Sequence, residues 1–299
     1  MSNKTMQRNE GVTSIVANTF NMIDPLAFNY RNSHPVKHGQ DDGFHSHPFY
    51  ELYYFHEGKC TYVIGDKIYT LVPGDLILMH GMTLHRPHPD PSIPYIRTTL
   101  HFYPMMLEEY LVAERAHALL APFEKLKNHV FHLTAEQQQE TETSLAQLNQ
   151  LYEMKGREQM SDRFVLKLCD FLIMAQQFTD NKLLEHRTRT DKEEHIQGII
   201  TYLETNYMNE IGLDEIAREL HLSKPYMAAL FKEMTGTTIF KYLYMRRINQ
   251  AKLLFRFHPD MSVTEASKKS GFKRVSHFSR MFKQTVGCTP EVFRTHHLI

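Results

Sequence analysis

The spacing of apolar positions changes along this chain, and the change divides it. Residues 50–55, 60–64, 68–72, 75–79 and 95–103 are short segments rich in β-branched and aromatic side chains. Turn signals separate them at Glu57-Gly58, Gly65-Asp66, Pro73-Gly74 and the proline-rich stretch 87–94. Strands this closely spaced predict a small β-barrel or jelly roll. Beyond Pro104 the apolar interval becomes three and four, first at Leu145, Leu148 and Tyr152, then at Phe164, Leu168, Phe171, Ala175 and Phe178, which predicts two helices. Val165, Leu166, Leu172 and Ile173 fill other faces of the second helix, so it is expected to be buried, either in its own domain or between two subunits of a homodimer. Residues 179–194, TDNKLLEHRTRTDKEE, carry only two leucines and read as a linker. Everything after them has helical spacing.

The helical half contains an internal repeat. LDEIARELHLSKPYMAALFKEMTGTT from Leu213 resembles VTEASKKSGFKRVSHFSRMFKQTVGCT from Val263, with Ala217 matching Ser267, Phe231-Lys232 matching Phe282-Lys283, and Gly236 matching Gly287. Each copy predicts a short helix, a tight turn and a second helix. A small residue in the first helix lets the second cross close by, and the turn wants a residue that tolerates a left-handed backbone. Gly271 suits that position; His221 accepts it less readily. Ser223 followed by Lys224-Pro225 reads as an N-cap with proline in the first turn. Residues 239–255 predict a connecting helix roughly 25 Å long at ~1.5 Å per residue, a strut able to hold two such units about one duplex turn apart.

Charge sharpens this picture. The 299-residue chain has 34 Lys+Arg and 34 Asp+Glu, yet residues 1–190 carry 18 against 22, and from Arg218 onward the count is 15 against 5. A basic block attached to an acidic remainder is the asymmetry of a module that binds a polyanion. The 42% apolar content supports a sizeable core, and the length suggests two domains. Neither an apolar run of membrane-spanning length nor a secretory signal is seen, so a cytoplasmic location without membrane association is expected. Cys60, Cys169 and Cys288 are too scattered for a disulfide framework or a zinc knuckle.

The last hundred residues resemble the DNA-binding domain of the AraC/XylS family of bacterial transcription regulators. The matching elements are L-x2-I-A from Leu213, S-x2-Y-M-x2-L-F-K from Ser223, T-G-T from Thr235, Y-L-x3-R-I-x2-A-x-L-L from Tyr242, G-F-x5-F-S-R-x-F-K from Gly271 and G-x-T-P-x3-F-R from Gly287. The resemblance implies two helix-turn-helix units that bind double-stranded DNA near promoters, with RNA polymerase as a further partner. Candidate DNA contacts are Ser223, Lys224, Tyr226 and Met227 in the first unit and Arg274, Ser276, His277, Arg280 and Lys283 in the second. Pro225, Ala228 and Ala229 stand where the family often has polar readers, and Ala266, Ser267 and Ser270 predict loose packing of the second unit's first helix.

In the β-rich half, Gly39, His45, His47, Glu51 and Gly58 fit G-x5-H-x-H-x3-E-x6-G, with His85 eleven residues beyond Gly74. This resembles the cupin two-motif pattern, in which barrel strands aim three imidazoles and a carboxylate at a divalent metal. The second motif departs, with His80 and Met82 where proline and glycine are usual. Two functional readings stand side by side: a metal site at His45, His47, Glu51 and His85, or an effector pocket for a sugar or other polar metabolite lined by these with Tyr53 and His80. With 19 histidines in the chain, chance spacing is a third. No catalytic residue is assigned, because no general base is evident beyond the candidate ligands.

The expected fold is α+β: a cupin-like barrel at 15–103, a helical dimerisation and coupling segment at 104–180, a linker at 181–192, and an all-α domain at 193–299. The expected function is a DNA-binding transcription regulator controlled by a small effector. The alternative is a cupin metal enzyme or metal sensor with an appended DNA-binding domain.

Overall fold

The computed structural model describes residues 26–33, 43–125, 129–154, 162–178 and 189–296. Gly39, the expected barrel start at 15–25 and linker residues 181–188 lie outside these. The chain forms two compact units. One holds Pro25–Thr205 with Ile211–Tyr242, the other Asn206–Glu210 with Leu243–Ile299.

The first unit begins with the strands β1 (Leu26–Asn32), β2 (Tyr50–Glu57), β3 (Cys60–Ile64), β4 (Lys67–Leu71), β5 (Asp75–His80), β6 (His85–Pro89) and β7 (Ile96–Phe102). Helix α1 (Ala113–Lys125), strand β8 (His129–His132), and helices α2 (Ala135–Glu153) and α3 (Asp162–Phe178) follow. The strands form a five-stranded sheet, β1-β7-β2-β5-β8, and a three-stranded sheet, β4-β3-β6, with antiparallel pairing throughout. Helix α1 and three strands escaped the sequence reading. β1 and β8 extend the large sheet, and β6 runs through Pro87 and Pro89, which read as turn formers. β6 is an edge strand paired with β3 along one side, and an edge tolerates residues that cannot donate to a ladder.

β2 shows how the sequence builds two cores from one strand. Its side chains alternate across the sheet. Tyr53 and Phe55 join Tyr62, Ile64, Ile77 and Met79 inside the barrel. Tyr50, Leu52 and Tyr54 face the other way, into a cluster with Phe123, Leu145 and the α3 stripe of Phe164, Leu168, Phe171, Ala175 and Phe178. That stripe was a candidate dimer surface. It is instead consumed by the chain's own sheet, leaving Leu166 and Ile173 as the exposed apolar residues of α3.

Helices α4 (Asp191–Asn206), α5 (Leu213–Glu219), α6 (Lys224–Thr235), α7 (Ile239–Phe257), α8 (Val263–Lys269), α9 (Val275–Val286) and α10 (Pro290–His296) complete the chain. The two copies of the repeat close their turns alike. Leu222 N donates to Ala217 O and Phe272 N to Ser267 O, both at 3.0 Å. His221 has φ 55° and Gly271 φ 86°, so the histidine does adopt the left-handed backbone. In the second copy Ala266, Ser267 and Ser270 are fully buried rather than loosely packed; their small volume lets α9 approach. Arg247, in α7, is buried and anchors the loop before α5 by donating to Tyr207 O (2.6 Å) and Asn209 O (2.7 Å).

Ser270 Oγ donates to Ala266 O (2.6 Å), but the buried Ser267 hydroxyl has no partner. An unsatisfied buried hydroxyl costs about 1–3 kcal/mol. Ser267→Ala is therefore expected to raise stability by about 1 kcal/mol, read as a higher urea midpoint with an unchanged slope. A lower midpoint would show that the hydroxyl is bonded in solution.

Candidate functional site

One carboxylate oxygen organises the barrel interior. Glu51 of β2 is 3% exposed, and its Oε2 lies 3.3 Å from Nε2 of each of three histidines, His47, His85 and His101. Strand register brings them together. Glu51 pairs with His101 of β7, and His85 begins β6, whose backbone bridges to His45 by reciprocal 3.0 Å hydrogen bonds. The His45 ring lies edge-on to His85 at 4.1 Å, and His47 sits 5.0 Å from His101 and 5.1 Å from His85, centre to centre. The donor atoms of His45, His47 and His85 lie within 4.8 Å of one another, as do those of His47, Glu51 and His101.

The protonation pattern follows from burial and proximity. Desolvation pushes His45 down to about 3, with the nearby His85 adding to the effect, and pushes His47 down to about 4 despite its hydrogen bond to Glu51. Both are neutral imidazoles near pH 7. Burial alone would raise the Glu51 carboxyl, but the charge and hydrogen bond of His101, with the hydrogen bond of His47 and the nearby His85 ring, hold it well below the usual range. Burial opposes a charge on His101 too, yet the adjacent carboxylate outweighs it and raises the imidazole. The result is a buried ion pair, Glu51 with His101, beside the uncharged rings of His45 and His47. His85 Nε2, though 3.3 Å from Glu51, is not aligned for a hydrogen bond, and His47 Nδ1 also lacks one.

Four of the residues expected at this site converge: His45, His47, Glu51 and His85. Tyr53 is a barrel core residue on the same face of β2, its hydroxyl 2.8 Å from that of Tyr95. His80 departs from the expectation. It pairs with Tyr50 across β2 and β5 and its ring packs on Tyr50, on the side of the sheet that carries the helices. His101 was missed; the signal was an imidazole in the last barrel strand, legible only once β7 is registered against β2. Gly81 was missed as well. A Cβ there would fall 2.2 Å from both His47 Nδ1 and Phe49 O, so this glycine does the close-approach work that the departing second motif left unassigned at position 82.

The candidate DNA contacts divide differently. Arg274, Ser276, Arg280 and Lys283 are exposed on and just before α9. His277 is half-buried, packed edge-on against Tyr244 and Phe272. In the first unit Ser223 caps α6 by accepting from Tyr226 N, Lys224 pairs with Asp214 (2.6 Å), and Tyr226 is exposed beside His195. Met227 is a correction. It is fully buried, because 227, 230 and 231 form the core-facing stripe of α6.

Gly81→Ala is expected to displace His47 and open the cluster. In proton NMR the imidazole signals of His47 and His101 should both move, while those of the helical half stay. Unmoved signals would show that the loop yields without cost to the cluster.

A family model for an AraC-like ligand binding domain matches residues 36–165, and one for a helix-turn-helix domain matches 216–296. The chain is 23% identical over 245 residues to an uncharacterized HTH-type transcriptional regulator, YdiP, of Escherichia coli, covering 82% of this chain and 78% of that protein. It is 25% identical over 252 residues to the HTH-type transcriptional activator RhaS of Escherichia fergusonii, covering 84% and 86%. Among solved structures, ToxT from Vibrio cholerae aligns over 92% of this chain and 98% of its own, at 15% identity and a TM-score of 0.37. A cupin-like antiparallel barrel with its helices, a duplicated helix-turn-helix and two family matches that together span over two thirds of the sequence place this chain in the AraC/XylS family of DNA-binding transcription regulators, with an N-terminal ligand-binding domain.

Proposed function

We propose that this regulator reads the occupancy of the histidine cluster, with residues 15–103 sensing, 104–180 coupling and 193–299 binding DNA. The observation that carries the reading is the convergence of three imidazole Nε2 atoms on Glu51 Oε2 inside the barrel. A buried carboxylate with several imidazoles costs several kcal/mol of desolvation, and folding alone is better served by apolar side chains.

The donor set fits a divalent transition-metal ion. Nitrogen and carboxylate donors suit zinc, iron, nickel or manganese. Two of the imidazoles are held neutral by burial, and His85 Nε2 has no hydrogen bond to give up. His45, His47, Glu51, His85 and His101 would hold the ion, which would supply a fixed positive charge at the barrel wall. A polar metabolite such as a sugar is the second reading. It is favoured by the partial exposure of the His47 and His101 side chains (18% and 25%), which gives the cluster an open side.

Full-length protein dialysed against zinc, nickel or manganese is expected to retain stoichiometric metal, and His101→Ala and His47→Ala to lose it. Saturation at about a hundred times Kd should add about 2.7 kcal/mol of stability. Absence of metal together with saturable stabilisation by a metabolite would replace the ion with a pocket. If neither binds and a reporter gene responds normally in His47→Ala, the cluster is not the sensor.

For DNA, Arg280→Ala is expected to weaken binding to a selected duplex by about 1–3 kcal/mol while leaving random DNA nearly unaffected. Unchanged preference in fluorescence anisotropy would remove Arg280 from base readout. Ala228 and Ala229 offer only apolar contact, so base-by-base substitution should show weaker discrimination in the half-site of the first unit. Equal discrimination in both halves would refute this.

A further inference from the structure

The two copies of the repeat differ in length by one residue, and the difference lies in the turn. His221-Leu222 of the first copy aligns with Gly271-Phe272 of the second, and Ser223, the N-cap of α6, aligns with Arg274, the N-cap of α9. Lys273 between them has no counterpart. The longer turn is not left to solvent. Lys273 pairs with Glu210, in the loop that joins α4 to α5. Gly271 approaches the same loop so closely that a Cβ would fall 2.6 Å from Tyr207 O and 2.9 Å from Met208 Cα. His221 carries a Cβ, so the turn of the first copy could not make this approach.

Arg247 holds the loop in place for that turn. Its buried guanidinium gives Nε–H to Tyr207 O and an Nη2 hydrogen to Asn209 O, two carbonyls met by one planar fork. The same Nε lies 3.1 Å from the point a Gly271 Cβ would occupy, so the arginine sits beneath the turn as well as behind the loop. Burial works against its charge. Besides the carbonyls, two aromatic rings face that charge, with the Tyr244 and Phe272 centroids 5.8 and 5.9 Å from the guanidinium carbon.

Those two rings also seat the recognition helix. Tyr244 and Phe272 lie 6.0 Å apart at 26°, and His277 packs edge-on against both, at 5.3 and 5.7 Å. Phe278, next in α9, is fully buried and packs on Phe272 at 5.2 Å. One guanidinium therefore touches the loop, the turn and the pair of rings on which the first turn of α9 rests. His277 and Arg280 are three positions apart and so neighbours on the helix surface. A shift of the seat under His277 re-aims Arg280.

We propose that Arg247 is the positioning residue of the second recognition helix: through the loop at 207–210 and the Tyr244–Phe272 pair, it fixes the angle at which α9 presents Arg280 to base edges. Arg247 is buried and is not itself a DNA contact. Such an angle decides a bidentate contact to a base, whereas a phosphate contact holds the duplex without reading it. The inference rests on base readout by α9, proposed above, and extends it to a residue outside the interface.

The test uses the full chain and two duplexes of equal length, one selected by the wild type and one of random sequence. Arg247→Gln is expected to lower the ratio of the two affinities by about ten-fold while random-duplex affinity stays within about two-fold. General destabilisation would lower both affinities together and leave their ratio unchanged, so the ratio separates positioning from mere folding. Arg247 and Arg280 act through one contact, so their losses overlap. Arg247→Gln/Arg280→Ala is expected to lie within about three-fold of Arg247→Gln alone. An unchanged ratio in Arg247→Gln overturns the proposal, and so do losses that multiply in the double variant. Glu210→Gln loosens the seat from its exposed side without disturbing the core. A loss of preference of about two-fold is expected there, although removing an acidic group favours binding to any duplex. If Arg247→Gln does not fold, an unchanged ratio in Glu210→Gln overturns the proposal. In the free protein, the imidazole proton signals of His277 are expected to move in Arg247→Gln, because the rings of Tyr244 and Phe272 shift beneath them; unmoved signals also overturn it. If Arg280→Ala alone leaves the ratio unchanged, base readout by Arg280 fails by itself, and the His277 signals still decide whether Arg247 places α9.

Discussion

One buried carboxylate, that of Glu51, organises the histidine cluster. Glu51 occupies a position on β2 whose inward neighbours, Tyr53 and Phe55, are core residues, and an apolar side chain there would fold the barrel more cheaply. Its charge survives because His101 pairs with it across the strands. That pairing requires β7 in register with β2, β6 bridged to the His45 segment, and a residue without a side chain at 81 for His47 to lean against. Each of these is a fold-level constraint around one polar group, and together they bring four imidazoles into two overlapping groups that share His47.

The barrel wall that carries this cluster is one strand thick, so inside and outside are coupled by alternation alone. β6 is short and rich in proline, and it lies at a sheet edge where few backbone bonds restrain it. β2, by contrast, is bonded on both sides. His85, which faces the cluster, and the outward Arg86 and His88 thus sit on one and the same edge strand.

The sequence was most legible where a short pattern determines local geometry. The repeat fixed two helical hairpins, their turn residues and the N-cap at Ser223, and the left-handed backbone at His221 and Gly271 follows from the same alignment. Legibility failed where the outcome depended on partners distant in the chain. His101 becomes a ligand candidate only through its cross-strand register with Glu51. The α3 stripe had the spacing of an interface, but whether a sheet or a second chain would cover it depended on β1, β7 and β2. Met227 is a different kind of miss, since the information was present. The offset that aligns Phe231 with Phe282 also aligns Met227 with Phe278, a residue whose inward position the helical spacing already gave.

That same offset explains why the two copies have diverged as they have. It sets Ala228 and Ala229 against Ser279 and Arg280, so the first copy lacks polar groups where the second has them. It also sets Gly236, pressed by His88 and Arg86, against Gly287, which faces open space. The copy without polar groups at these positions is thus also the one whose closing glycine is crowded. Its α6 ends with Met234 O and Glu233 O accepting from Thr61 and His88, bonds that fix the C-terminal end of the helix. Apolar contact and backbone positioning tolerate an ångström of error far better than a bidentate contact to a base edge does. The second copy exposes Arg280 where the first has Ala229, so the alignment that repeats the fold does not repeat the surface.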